Sequence, residues 1–277
     1  MDTFYAEGNK LSTEIKNYYK GGISYSAIMK LFRKKDVKLC GKRIGEDVKT
    51  EKGDKIEVYY EKSKRKIKVL YEDENLVAAY KPKGETFDEF ERAVKETYPS
   101  AEAVHRLDRN TDGIIVFALS EKAKDELLRA FKERTVKKYY SAEVYGKMKK
   151  PEDTLVAYLE KDEKNAKVRI YPTKRQGASE IITKYKVIEE YPETSLLEVE
   201  LVTGKTHQIR AHLANEGNFI IGDGKYGVES VNRKFHAKTQ RLTANKVVFS
   251  FDEKDFLGYL NGKEIVLSED AINENKK

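Results

Sequence analysis

From residue 67 onward the apolar residues of this chain fall into a succession of short runs with strand character, and few segments between them have helical spacing. IKVLYED and NLVAAYKP read as the two arms of a hairpin, and GIIVFAL (113–119) as a continuous apolar strand. YYSAEVYG, KVRIYP, IITKYKVIEEY and SLLEVELV follow. In the last, Leu197, Val199 and Leu201 alternate with Glu198 and Glu200, so one face is buried and the other wet. One helix stands out: Ser120 can cap it, it runs through about Arg134, and Ala123, Leu127, Ala130 and Phe131 lie at core spacing. Runs of strands with segregated helices indicate an α+β fold rather than a regular βαβ one. No internal repeat is visible, and the tail SEDAINENKK reads as frayed.

The first quarter of the chain differs in charge. Residues 1–66 hold 17 Lys+Arg against 10 Asp+Glu, a net of +7, and residues 67–277 hold 37 of each sign. The whole excess of positive charge therefore sits ahead of residue 67, as expected for a polyanion-binding module attached to a neutral body, although a basic solvated surface reads the same way on charge alone. EKSKRK (61–66), polar and without an apolar anchor, lies between the strand-like IEVYY and IKVLY and is the natural linker. It divides the chain into 1–66 and 67–277. In the first part Ser24 can cap a helix running to about Lys35. Ala27, Ile28, Leu31 and Phe32 share one side of it, and Lys30, Arg33 and Lys34 share the other, where they could meet phosphates. VKLCGKRI, with a Gly-Lys turn, and GDKIEVYY, a strand after a Gly-Asp turn, complete it.

Composition narrows the class. With 277 residues, 39% of them hydrophobic, the chain can bury one large core or a medium one with a small satellite. The 36% of charged residues and 10% of aromatics describe a polar but folded chain. No apolar run approaches the roughly 20 residues of a membrane helix, and MDTFYAEGNK lacks the pattern of a signal peptide. Cys40 is the single cysteine, so no internal disulfide is expected, and a reducing cytoplasm fits. GKT (204–206) lacks the Gly that a phosphate-binding loop needs five positions earlier, where Val199 stands. His207 and His212, five apart, would lie about 140° from each other on a helix and would not share a metal. Hydrolase elbows and dinucleotide fingerprints are missing as well.

Three polar clusters remain. AVHRLDRNTDGIIVFAL (103–119) places a dense polar loop directly before the apolar strand, where scaffolds present reactive groups; Asp108 and Thr111 could equally be turn residues bonding their own backbone. TVKKYYSAEVYG (135–146) carries Tyr140, which could face a cleft or simply pack in a strand. In VTGKTHQIRAHLANEGNFIIGDGKYG (202–227) a Gly turn opens a short helix with Lys205, His207, Arg210 and His212; a solvated basic helix is the alternative. Together the clusters offer a carboxylate, a phenol and a guanidinium with several cations. Arg210 beside Asp108 would keep the carboxylate ionised and oriented. Tyr140 could stack on a planar base and relay a proton. Such a set suits a reaction at a nucleobase that needs no external reagent.

HRLDRNTDG, KKYYSAEVYG and TGKTHQIRAHL…IIGDGKYG occur in the order and approximate spacing of the RluA-type pseudouridine synthases, which this chain resembles over most of 67–251. YEDENLVAAYKPKG is similar to that family's entry hairpin, and GAS…ITKYKVI to its central strand. YSAIMKLFRKKDVKLCGKRIGEDVKTEKGDKIEVYY, in the first 60 residues, is similar to the alpha-L RNA-binding module known from a small-subunit ribosomal protein. The resemblance implies a mixed, mainly antiparallel sheet flanked by helices and loops, behind a small RNA-binding domain. It implies isomerisation of uridine to pseudouridine in ribosomal RNA, with transfer RNA as the other substrate class, by a monomeric cytoplasmic enzyme without metal or cofactor. Asp108 matches the catalytic Asp, Tyr140 the Tyr that stacks on uracil, Arg210 the Arg paired with that Asp, and Arg106 a residue that holds the target nucleotide outside its helix. Lys205 and His207 join Lys30, Arg33 and Lys34 as expected RNA contacts. The chain departs from the family at Asp112, where Ser is usual; at Lys205, where Arg is usual; and at ETFDEFERAV, which replaces an apolar segment. Asp112 would disturb Asp108 if the two faced each other. A non-catalytic RNA-binding or assembly factor on a synthase scaffold is the competing reading.

Overall fold

The structure, a computed structural model, describes residues 1–20, 23, 25–60 and 67–268. Ser24, the 61–66 segment and the tail from 269 lie outside the described residues, and so do the expectations placed on them. The chain divides into two compact units, Met1–Arg65 and Lys66–Lys277.

In the first unit β1 (Asp2–Glu7), α1 (Leu11–Tyr18), α2 (Tyr25–Lys34), β2 (Val37–Leu39), β3 (Lys42–Ile44) and β4 (Lys52–Val58) follow in order. The strands form one antiparallel sheet, β1-β4-β2-β3. Leu11, Ile15, Ile28 and Phe32 from the helices bury beside Val37, Ile56 and Val58 from the sheet. α2 is two-sided, as its spacing predicts: Ile28, Leu31 and Phe32 are buried, whereas Lys30, Arg33 and Lys34 are exposed. The turn between β2 and β3 is made by Cys40 and Gly41, not Gly-Lys, because a two-residue hairpin turn of this kind needs positive φ at both positions, here 48° and 80°. Gly53-Asp54 is not a turn before a strand either. It lies inside β4, where the register with β1 slips between Tyr5 and Glu7, and the φ of 94° at Gly53 accommodates the bulge.

The second unit is built on one mixed sheet. Its elements are β5 (Lys68–Glu72), β6 (Leu76–Lys81), α3 (Phe87–Thr97), β7 (Glu102–Ala103), β8 (Asp112–Ala118), α4 (Glu121–Glu133), β9 (Val136–Tyr145) and β10 (Glu152–Asp162). They continue with β11 (Lys167–Tyr171), β12 (Ser179–Glu190), β13 (Thr194–Leu201), α5 (Gln208–Asn215), α6 (Glu229–Lys234), β14 (Leu242–Phe249) and β15 (Glu264–Val266). The strand order is β11-β10-β12-β13-β9-β14-β8-β6-β5, with β15 on β14 and β7 on β8. Among the described residues only β14 and β8 run parallel, so the sheet is mainly antiparallel. β5 and β6 form the expected hairpin, whose turn is closed by Asp73 accepting from the N–H groups of Asn75 and Leu76.

β8 is buried on both faces, which explains its unbroken apolar run. Ile114, Val116 and Ala118 pack in one core with Ala123, Leu127 and Ala130 of α4. Ile115 and Phe117 face the other core, with Phe90 and Val94 of α3 and Ile209 and Leu213 of α5. Ser120 caps α4 as predicted, accepting from the Ala123 N–H at 3.2 Å. α3, a helix not among those expected above, occupies the ETFDEFERAV segment. Its signal was local: Thr86 and Glu89 form a capping box at the spacing that starts helices.

Where β8 meets β14 in parallel, Gly113 has a φ of 126°, and a Cβ there would lie 2.2 Å from the Ala244 carbonyl oxygen and 2.6 Å from its nitrogen. Only glycine fits this approach. Gly113→Ala is expected to destabilise the second unit by about 3 kcal/mol or more; a urea midpoint close to that of the unaltered protein would contradict this account of the junction.

Candidate active site

Asp108 lies in the loop between β7 and β8, just before the doubly buried strand. Several bonds hold that loop. The buried Lys81 ammonium donates to the carbonyls of Pro82, Arg109 and Thr111 at 2.9–3.1 Å. Gly84 and Arg109 bond reciprocally, backbone N–H to carbonyl at 3.0 Å and guanidinium to carbonyl at 2.9 Å. A backbone turn is present, with Thr111 N–H donating to the Asp108 carbonyl at 3.1 Å. The side chains look elsewhere: Thr111 accepts from Gln240, and Asp108 accepts from Arg210.

Arg210, on α5, is the centre of the site. Its Nη1 donates to Asp108 Oδ2 at 2.8 Å, while Nε and Nη2 donate to the two oxygens of Asp223 at 2.7 and 2.8 Å. Asp223 is fully buried and also accepts from the backbone N–H groups of Lys225 and Tyr226. Burial opposes the charge on Arg210, but the bonds and charges of Asp223 and then Asp108 outweigh it and leave its pKa raised. Burial likewise pushes the Asp223 carboxyl up, and Arg210 more than reverses this, so it stays ionised. The Tyr226 ring lies 5.3 Å from the guanidinium carbon.

Tyr140 is buried on β9, and burial, then the Asp108 charge, pushes its phenol up so that it stays protonated. Asp108, Tyr140 and Arg210 line one cleft of about 810 Å³, within the size range of small-ligand sites. Arg106, Lys205, His207 and Gln240 share the lining. Arg106 is exposed, with its guanidinium carbon 5.3 Å from the ring of Phe87, the first residue of α3. The departure at ETFDEFERAV thus supplies the platform for that arginine. Lys30, Arg33 and Lys34 belong to the first unit, exposed on α2.

Three expectations change. Lys205 and His207 do not ride on a helix: α5 starts at Gln208, because His207 takes a left-handed conformation at φ 56° and the Gln208 side chain folds back to bond Lys205 N–H, Thr203 and Thr183. That helix is not a solvated basic one, since every residue from Gln208 to Leu213 is buried. Asp112 does not line the cleft with Asp108. It is buried, accepting from Tyr80 at 3.0 Å and Thr243 at 2.8 Å, with the Lys83 ammonium 3.5 Å away.

His207 faces Asp108 Oδ2 at 3.9 Å through Nε2, and its Nδ1 lies 2.9 Å from the Tyr226 hydroxyl. Burial lowers its pKa more than Asp108 raises it, so at neutral pH the ring is neutral and the contact is not an ion pair. Among the described residues no group of three His, Cys, Asp or Glu side chains could hold a metal ion, and no helix is long and apolar enough to cross a membrane. Sequence reasoning assigned no role to Asp223, Tyr226 or Lys138. The one available hint was an acid between two glycines directly after the apolar Ile220-Ile221.

His212 is buried beside Thr183, its Nδ1 3.0 Å from the hydroxyl, and burial lowers its pKa to about 4. His105, whose Nε2 accepts from Val116 N–H, is lowered to about 3 by burial and then by the Lys138 charge. Both are neutral in the fold, whereas the unfolded chain protonates them below about pH 6.5. Stability present at neutral pH is therefore lost as pH falls from about 6.5 towards 4, with a slope approaching 2.7 kcal/mol per pH unit for the pair at most, by order of magnitude. Urea midpoints should rise across this window and level off above it, and His212→Gln should remove about half of the slope.

The family described as RNA pseudouridylate synthase matches residues 69–215. Ribosomal large subunit pseudouridine synthase C of Vibrio vulnificus is 31% identical, over 87% of this chain and 82% of its own length. Dual-specificity RNA pseudouridine synthase RluA of Yersinia pestis is 36% identical, over 57% of this chain and 81% of its own. Among solved structures, Human RNA Pseudouridylate Synthase Domain Containing 1 is 22% identical with a TM-score of 0.59, over 78% of this chain and 96% of its own, a likeness of fold.

Proposed function

The chain belongs to the RNA pseudouridylate synthase family, isomerases of uridine in RNA, and we propose that Asp108, Tyr140 and Arg210 carry that reaction on ribosomal RNA. The observation that carries the reading is the Arg210 bridge, which ties the half-buried Asp108 carboxylate to a buried Asp223 at the wall of a cleft with room for a nucleoside. Asp108 acts on the ribose of the target uridine, by attack at the sugar or by removal of a sugar proton. The freed uracil turns and rejoins through carbon 5. Arg210 fixes the carboxylate oxygen at 2.8 Å, so little reorganisation is needed when the bond to the base breaks. Tyr140, protonated and beside Asp108, supplies a flat surface for uracil and relays the carbon 5 proton, passing its own phenolic proton to the Asp108 carboxylate as it accepts that one.

The target base must leave its stack to enter the cleft, at a cost of a few kcal/mol. Arg106, exposed on the Phe87 ring at the cleft, is placed to hold the extruded nucleotide or fill its gap. Lys205 and His207 contact the same strand. Ribosomal RNA is favoured as substrate by the name of the relative matched over most of the chain, a ribosomal large subunit pseudouridine synthase, and transfer RNA is the other class to test. The first unit serves as an RNA-binding module of alpha-L type, with α2 offering Lys30, Arg33 and Lys34 to phosphates. The exposed, unbridged Cys40 suits a reducing cytoplasm.

Ribosomal RNA from cells lacking the gene should gain pseudouridine, without change of mass, when treated with the protein. Asp108→Asn should stay folded and lose at least about a thousandfold in rate; retention of activity would sink the mechanism. Replacing Lys30, Arg33 and Lys34 together by Gln should lower the slope of log affinity against log salt by about two, at roughly 0.7 per phosphate contact on single-stranded RNA. An unchanged slope would remove α2 from the RNA contact surface.

A further inference from the structure

Lys138 stands two residues before Tyr140 on β9, so both side chains leave the same face of the strand, about 7 Å apart along it. Both line the cleft that holds Asp108 and Arg210. The lysine is half-buried, and its ammonium lies 5.1 Å from the centre of the Phe131 ring. It also packs against bare backbone: a Cβ on Gly204 would sit 3.3 Å from Nζ. Its surroundings are not those of Arg210, which shares the cleft and is matched by two carboxylates. Among the described residues no carboxylate lies within ion-pairing distance of Lys138. Burial alone lowers its pKa to about 8.

A partly buried cation without a counter-charge is costly, and proteins normally pair such groups. Phenylalanine face contact offsets only part of that cost. The missing partner is one that the substrate brings, because an RNA strand carries a phosphate at every nucleotide. Resting on the RNA-isomerase reading, we propose that Lys138 binds a backbone phosphate of a nucleotide adjacent to the target uridine, and so sets how far the strand slides along β9 relative to Tyr140. Phe131 holds the ammonium in the cleft before RNA arrives, and Gly204 leaves room beside it. Arg210 cannot take this role, since its nitrogens are spent on Asp223 and Asp108. Lys138 is therefore a positioning residue, and its effect belongs to binding and register.

The test uses the full chain, an unmodified transcript of large-subunit ribosomal RNA, and the substitutions Lys138→Met and Lys138→Arg. Methionine keeps the bulk of the side chain in its apolar seat, and a thermal melt checks that the variant folds. Filter binding at several salt concentrations reads the phosphate contact directly. Lys138→Met should lower the slope of log affinity against log salt by about 0.7 to 0.9, and Lys138→Arg should restore it. In steady-state turnover the methionine variant should raise KM about tenfold while kcat stays within roughly threefold, as for loss of a contact made equally in ground and transition states. An unchanged salt slope in Lys138→Met overturns the proposal whatever the activity. A fall in kcat that arginine does not repair, with the slope unchanged, would assign Lys138 to proton transfer and overturn it too. Absence of turnover by the unaltered protein would count against the isomerase reading alone, because the salt slopes still decide the phosphate contact.

Discussion

A single guanidinium organises the site. Arg210 projects from a helix whose first six residues are all buried, and three of its nitrogens are bonded to two carboxylates that lie far apart in sequence. Asp223 is wholly buried and pays for the desolvation of Arg210 by meeting it in a two-bond fork, the geometry that guanidinium and carboxylate share. One nitrogen is left to reach Asp108 at the cleft wall. Without Asp223 the buried guanidinium would keep only one of these two carboxylates, Asp108, which is itself only half-buried. The Asp108 carboxylate is thus oriented by a chain of charges that ends in the core.

The loop that carries Asp108 is fixed from the opposite side as well. Lys81 gathers two of its carbonyls, those of Arg109 and Thr111, with that of Pro82, and the following strand is clamped between two cores. The parallel junction of β8 and β14 at Gly113 brings the strand's start against Ala244, and Thr243 next to it binds Asp112. That bond turns the extra carboxylate away from the cleft. Asp112 is consequently part of the scaffold that holds the loop, and the feature that looked most disruptive in the primary structure is neutralised by Tyr80, Thr243 and Lys83.

Much of this was legible locally. The β5–β6 hairpin, the apolar strand, the Ser120 cap and the two-sided α2 follow from spacing, because alternation, capping and helical periodicity act over a few residues. The family resemblance added the pairing of Asp108 with Arg210, whose bonded atoms lie 2.8 Å apart. Other features were misread or overlooked. The Gly-Asp pair looked like a turn because bulges use the same residues as turns. α3 was passed over although its capping box is written in the sequence. His207 and Lys205 looked helical because residue spacing carries no sign of the Gln208 side chain that ends the loop.

The sequence by itself determined the strand-rich body, the concentration of positive charge ahead of residue 67, and the three polar clusters that hold Asp108, Tyr140 and Arg210. These are properties of composition and short-range pattern. Tertiary structure alone decided that Asp223 anchors Arg210, that Asp112 faces away, and that Lys138 enters the cleft with no counter-charge among the described residues. Those outcomes depend on which side chains meet across the sheet. Burial then sets the energetic weight of each meeting, because a charge buried from water is stabilised only by the partners that the fold brings to it.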